Sequence, residues 1–153
     1  MNDAKSLRAA IKNRFYPFAT DQGFVRGRST SLFAPFQRKG IEKVHLFEVQ
    51  WDKYHYPRFV LNFSEQSLDY VAGETAHPSP QTLDTAQNTG RLQRFRGGEM
   101  SCWFQLRKPL RKQIATWERD YTPNEVVNEL IEAFPELDAW WETGVEGKHI
   151  YRH

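Results

Sequence analysis

Residues 41–52 (IEKVHLFEVQWD) and residues 56–64 (YPRFVLNFS) decide the fold. Successive side chains of an extended strand point to opposite faces, so apolar residues recurring at every second position mark a strand with one buried side. In the first run His45, Phe47, Val49 and Trp51 share one face, with Leu46, Glu48, Gln50 and Asp52 on the other. In the second, Phe59, Leu61 and Phe63 oppose Tyr56, Arg58, Val60 and Asn62. Two alternating runs around the short polar turn at 53–55 read as an antiparallel hairpin, with Gln50 and Arg58 as a cross-strand pair.

The remaining elements are read outward from that hairpin. Residues 31–38 (SLFAPFQR) are apolar and strand-like, and Pro35 assigns them to an edge. Upstream, Asp3 is a helix N-cap, and Leu7, Ile11, Phe15 and Phe18 recur at helical spacing up to Asp21 and Gly23. Pro17 should kink or thin the last turn of that helix. Downstream, residues 65–90 carry no periodic pattern and exceed the length of an ordinary loop. Residues 92–95 read as a brief strand and residues 100–107 as a further one, with Met100, Cys102, Phe104 and Leu106 facing inward and Ser101, Trp103, Gln105 and Arg107 outward. Residues 110–117 form a short helix. Thr122-Pro123-Asn124-Glu125 is a capping box with proline at the first helical position. Val126, Val127, Leu130, Ile131 and Phe134 supply the apolar stripe behind it. Leu137, Trp140 and Trp141 belong to a last helix, and the tail at 147–153 reads as frayed. The expectation is one α+β domain spanning 1–153, with an antiparallel sheet of four to five strands packed on the N-terminal helix and the C-terminal helices.

Composition agrees with a folded chain. Of 153 residues, 14% are aromatic and 26% charged, far richer in rings than a disordered segment. Cys102 is the lone cysteine, which excludes an internal disulfide and a multi-cysteine zinc site. No signal peptide or membrane-spanning run is present, so the expected compartment is the cytoplasm and no membrane partner is expected. Charge is uneven: residues 91–112 are net +6 and residues 118–146 net −8. Mutual neutralisation of these sequence neighbours is the preferred reading over a basic patch for an anionic partner.

The order of elements, with Gly23-Phe24, Phe33, Val49-Gln50-Trp51, Phe59-Val60-Leu61-Asn62-Phe63, Phe134-Pro135-Glu136-Leu137 and Trp140-Trp141, resembles a family of small, mainly bacterial domains of unknown function. The resemblance covers most of the chain. It implies an α+β fold and supplies no activity and no catalytic residue.

Catalytic signatures are missing: there is no nucleophile elbow, P-loop, HExxH or glycine-rich dinucleotide motif. His45 shares its strand face with Phe47 and Val49 and reads as structural. A zinc set of His45, His55 and Cys102 is the only metal arrangement to weigh, and none is assigned; no cofactor is implied. Cys102, between Met100 and Phe104, reads as a small buried hydrophobe rather than a nucleophile.

The candidate site is the outer sheet face. If the apolar strand faces cover the helices, Gln50, Tyr56, Arg58, Asn62, Trp103, Gln105 and Arg107 lie together on the other side, beside Glu48 and Asp52. Such a mixture suits a binding surface, and the preferred function is a non-catalytic module that holds a protein or small ligand there. The alternative is single-stranded nucleic acid, with Arg91, Arg94, Arg96, Arg107, Lys108, Arg111 and Lys112 on phosphates and Trp103 and Tyr56 stacking bases. A third reading is a hydrolase or transferase using Glu48 and Asp52, whose Cα atoms would lie roughly 13 Å apart on one strand.

Overall fold

The computed structural model describes residues 3–68 and 89–152. Most of the patternless 65–90 segment therefore lies outside the described residues. The strands are β1 (Val25–Arg26), β2 (Phe33–Lys39), β3 (Lys43–Trp51), β4 (Arg58–Ser67), β5 (Gly90–Leu92), β6 (Phe104–Gln105) and β7 (Ile150–Arg152). They form one antiparallel sheet in the order β1-β2-β3-β4-β5-β7, with β6 also paired to β4.

The hairpin is as the alternation predicts. β3 and β4 pair from Lys43↔Ser67 to Trp51↔Phe59, which stacks Phe47 opposite Phe63 and Val49 opposite Leu61. The register sets Gln50 opposite Val60, however, so the expected Gln50–Arg58 pair does not form and Arg58 meets Asp52 instead. β2 carries Pro35 but is not the outermost strand. β1 lies beyond it for two residues, and where β1 stops the Gly27 N–H bonds the Pro35 carbonyl at 2.8 Å. A residue without a donor needs only that acceptor role.

Among the described residues the sheet has seven strands, against the four to five expected. The additions are β1 and β7, too short to carry a period of two. β7 also overturns the frayed tail: Ile150 pairs with Leu92, and Tyr151 with Arg91. Ile150 fills the core at 1% exposure, so a single buried isoleucine anchors the segment. The strand expected at 92–95 lies at Gly90–Leu92. The strand expected at 100–107 becomes a 3₁₀ turn at Met100–Cys102 followed by the two residues of β6.

One helical run covers the aromatic face first. It comprises α1 (Asp3–Ala10), a π-helical stretch (Ile11–Phe15) and α2 (Tyr16–Asp21). The Tyr16 N–H reaches back to the Ile11 carbonyl, the wider spacing of a π turn. Pro17 follows immediately; it has no N–H to give and its ring crowds the preceding turn, so the helix widens rather than breaks. α3 (Leu110–Thr116) buries no residue. α4 (Pro123–Ala133) begins in the predicted capping box: Glu125 N–H donates to Thr122 Oγ1 at 3.2 Å, and Thr122 N–H to Glu125 Oε1 at 2.8 Å. α5 (Pro135–Thr143) ends at Gly144, whose φ of 78° suits glycine.

Phe134, between α4 and α5, organises the core. Its ring meets Phe15, Phe18, Phe24 and Phe47 at centroid distances of 5.8, 5.4, 5.9 and 5.5 Å, largely edge to face. This network joins the first helical run, the strands and the C-terminal helices on one side of the sheet.

Candidate functional site

The face away from the helices is not the open platform expected. Glu48, Asp52, Asn62 and Trp103 are all buried, Trp103 to 3% exposure. Two features accompany this burial. Val44 and Leu46 are fully buried on this side and make an apolar cluster of their own with Leu68. The turn at Met100–Cys102 also breaks the alternation, so Cys102, Trp103 and Phe104 are buried in succession.

Register sets Pro35, Glu48, Asn62, Arg91 and Tyr151 in a single row across five strands. Asn62 Nδ2 donates to Glu48 Oε2 and to Gln50 Oε1, both at 2.8 Å. The Arg91 guanidinium lies 5.6 Å from the Trp103 ring, and burial lowers its pKa. Asn62 Oδ1, Arg91 Nε and Trp103 Nε1 are buried without a hydrogen-bond partner among the described residues. Buried polar atoms of this kind ordinarily hold ordered water.

The other sequence candidates come together elsewhere. Tyr56, Arg58, Gln105 and Arg107 line a cleft of about 330 Å³ at the hairpin end, with Pro57, Leu106, Asp3 and Asp120. Arg58 Nε donates to the Asp52 carboxylate, which also accepts the Tyr54 N–H at 2.7 Å. The Arg58 guanidinium lies 5.1 Å from the Tyr56 ring. Arg107 Nε donates to Asp120 Oδ1 at 3.2 Å, in register with the Arg107↔Asp120 bridge. Gln105 turns its amide N–H to the carbonyls of Met100, Ser101 and Trp103. The predicted set thus divides: Tyr56, Arg58, Gln105 and Arg107 share the cleft, while Asn62 lies in the buried row, half-buried Gln50 bonds to it and Trp103 packs beside Arg91.

The acidic block neutralises part of the basic one, through Arg94–Glu129, Arg107–Asp120 and Lys108–Glu118. Arg94 is buried and meets both Glu129 oxygens at 2.6 Å, and it donates to the carbonyls of Gln105 and Arg107. Lys108 is 6% exposed and reaches Thr116 and Glu118. Arg96 donates to the carbonyls of Gly147 and Ile150. Of the seven cations weighed for nucleic acid, Arg111 and Lys112 are exposed and make no ion pair among the described residues.

His45 and His55 lie near opposite ends of β3, so they and Cys102 do not assemble into one site. The Cys102 thiol donates to Glu99 Oε2 at 3.4 Å, and burial followed by that contact raises its pKa. A raised pKa keeps the thiol protonated, which suits a packing role.

Two features escaped the sequence reading. His45 stacks on Trp141 at 4.8 Å with an interplanar angle of 10°. Its Nδ1 accepts from Arg38, which also bonds Asp138, and this group lines a second cleft of about 780 Å³. The first signal was the histidine's place on the core face; its partners, seven and about a hundred residues away, left none. The other feature is α3, whose Leu110, Ile114 and Trp117 are 71%, 66% and 91% exposed. Their spacing was visible in the sequence; their outward direction was not. No protein family, curated protein or solved structure matches the chain.

Proposed function

We propose that the protein is a non-catalytic binding module whose site is the cleft lined by Tyr56, Arg58, Gln105 and Arg107. The observation that carries this reading is the pair of guanidinium groups in one cleft. Each has its Nε fixed by an aspartate, Asp52 for Arg58 and Asp120 for Arg107. Among the described residues, the Nη groups of neither make a hydrogen bond. A guanidinium oriented from behind presents a planar fork suited to an oxyanion. Asp3 at the rim, together with Asp52 and Asp120, disfavours a polyanion. The ligand class is therefore a small monoanion, a carboxylate or a singly charged phosphate ester, or an acidic side chain offered by a protein. The sequence resemblance to small bacterial domains of unknown function is compatible with this reading and adds no catalytic group.

Nucleic acid is supported less well, because Trp103 is buried and Arg94 and Lys108 are already paired. The carboxylate-pair reading also gains nothing, since Asp52 is committed to Arg58.

The test is a titration with acetate and with inorganic phosphate, following the Nε–Hε resonances of Arg58 and Arg107. Saturable shifts at both are expected. Arg58→Lys keeps the charge but loses the fork, and it should weaken binding markedly. Absence of any saturable shift at either arginine overturns the proposal.

A further inference from the structure

Residues 107–120 form a closed excursion. Its base is the Arg107↔Asp120 bridge, reinforced by the Lys108 N–H donating to the Arg119 carbonyl at 2.8 Å. Within it, α3 carries Leu110 and Ile114, and Trp117 caps its end. Positions i, i+4 and i+7 fall on one face of a helix. Here that face points to solvent, and from Leu110 to Asp120 every residue but Gln113 is exposed. α3 stands off the body.

The stripe is not held out by its own helical strength, since seven residues are too few for an isolated helix to persist in water. Lys108 Nζ donating to Thr116 Oγ1 at 2.9 Å and Gln113 Nε2 donating to the Lys108 carbonyl at 2.7 Å brace the turn. Trp117 adds a second oddity. Its φ of 60° and ψ of 23° place a bulky indole in the left-handed cap position where glycine is the usual occupant. A strained residue that also exposes 91% of its surface contributes nothing to folding that a glycine would not supply better.

The charges select the occupant. Lys108 is tied to Glu118 and Arg107 to Asp120. Arg111, Lys112 and Arg119 are left exposed and make no ion pair among the described residues. An apolar tip with a cationic collar complements an anionic surface. The stripe runs only about 10 Å along the helix, and a stable protein interface needs roughly 800 Å² on each partner. A lipid interface has no such requirement, and it receives a protruding tryptophan at the headgroup level. On the neighbouring hairpin loop Tyr54 and Tyr56 are also exposed, at 66% and 60%.

We propose that the Leu110–Ile114–Trp117 stripe and its cationic collar dock reversibly on an anionic bilayer surface. This contact lies beside the ligand cleft, with which it shares the Arg107–Asp120 base, and it requires no ligand there. Trp51, Trp103, Trp140 and Trp141 are all buried, so a change in tryptophan emission on vesicle addition reports Trp117. The experiment uses vesicles of phosphatidylglycerol and phosphatidylcholine in equal parts, vesicles of phosphatidylcholine alone, and brominated lipids as quenchers. The expected result is a blue shift and quenching with the anionic vesicles at low salt, neither with the neutral ones, and loss of both as salt rises. Arg111→Glu with Lys112→Glu should lower partitioning at least about tenfold. Trp117→Gly should abolish co-sedimentation while leaving the melting temperature unchanged or higher, so a folding defect cannot mimic the result. Failure to bind anionic vesicles at low salt overturns the proposal. So does binding that survives Trp117→Gly. Concentration-dependent self-association lost in Trp117→Gly, without vesicle binding, assigns the stripe to a second copy of the chain and equally overturns it.

Discussion

Arg94 grips Glu129 with two parallel hydrogen bonds of 2.6 Å, joining the segment after β5 to α4. Arg94 Nη groups also bond the carbonyls of Gln105 and Arg107 at 2.8 and 3.0 Å. A lysine ammonium cannot meet four acceptors spread over a planar fork. Arg94→Lys should therefore cost about 2–4 kcal/mol by chemical denaturation, the range for disrupting a buried charged network. An unchanged midpoint would mean that Arg94 is spare for a partner.

Trp103 separates a packing role from a binding one. With 3% exposure, Trp103→Ala should destabilise by about 3–5 kcal/mol. Its Nε1 has no partner among the described residues, so Trp103→Phe removes an unsatisfied donor and keeps part of the ring system. That variant should cost clearly less than the alanine change, because the cavity left is smaller. Two thermal melts decide the matter, and equal losses for Ala and Phe would show that the indole N–H is bonded in solution.

His45 gives the stability a defined pH slope. Burial, and then the positive charge of Arg38, lower its pKa, while Asp138 and Glu65 oppose the shift. The unfolded histidine takes up a proton near pH 6.5, while the folded one stays neutral to lower pH. Between those values the unfolded state holds more protons, so stability falls as pH falls and recovers above about 6.5. His45→Gln should flatten that slope. A pH-independent midpoint in the parent protein from pH 7 to 5 would contradict it.

The capping box of α4 offers a local check. Thr122→Ala leaves the Glu125 N–H without its side-chain acceptor and should cost about 1 kcal/mol. The Glu125 pKa is lowered chiefly by the Thr122 backbone N–H, so that bond, and its small contribution, fades as pH drops below the ordinary carboxylate range. NMR titration of Glu125 in both proteins would show it.

The hairpin, the first helix and α4 were legible because each repeats a physical signal over eight or more residues. Phe47, Phe59, Leu61 and Phe63 all occupy the predicted core face. The pattern failed where elements are short or the rule changes partway. β7 rests on one core residue, Ile150, and two or three residues cannot show a period. At Trp103 a three-residue turn replaced the strand and turned an outward position inward. The cleft was half legible: alternation put Arg58 and Arg107 on the same side, but Asp120 reaches Arg107 only through the fold. The burial of Glu48 and Asn62 was not legible, because alternation distinguishes two faces without saying whether both are covered.

The row from Glu48 to Arg91 also acts as a ruler for strand alignment. If β3 slid one residue against β4, every side chain of the moving strand would change faces. Glu48 would then enter the ring cluster around Phe134, a carboxylate among aromatics with no donor in reach. A slide of two residues keeps the faces but can set Asn62 opposite Leu46, which puts an apolar partner where Glu48 stands and takes Gln50 out of reach. Long, mostly apolar strands are indifferent to such slips, since one valine packs much like another. A few polar atoms at the middle of the sheet make each mismatched alignment costly, so the longest hairpin among the described residues has a single position in which it can close.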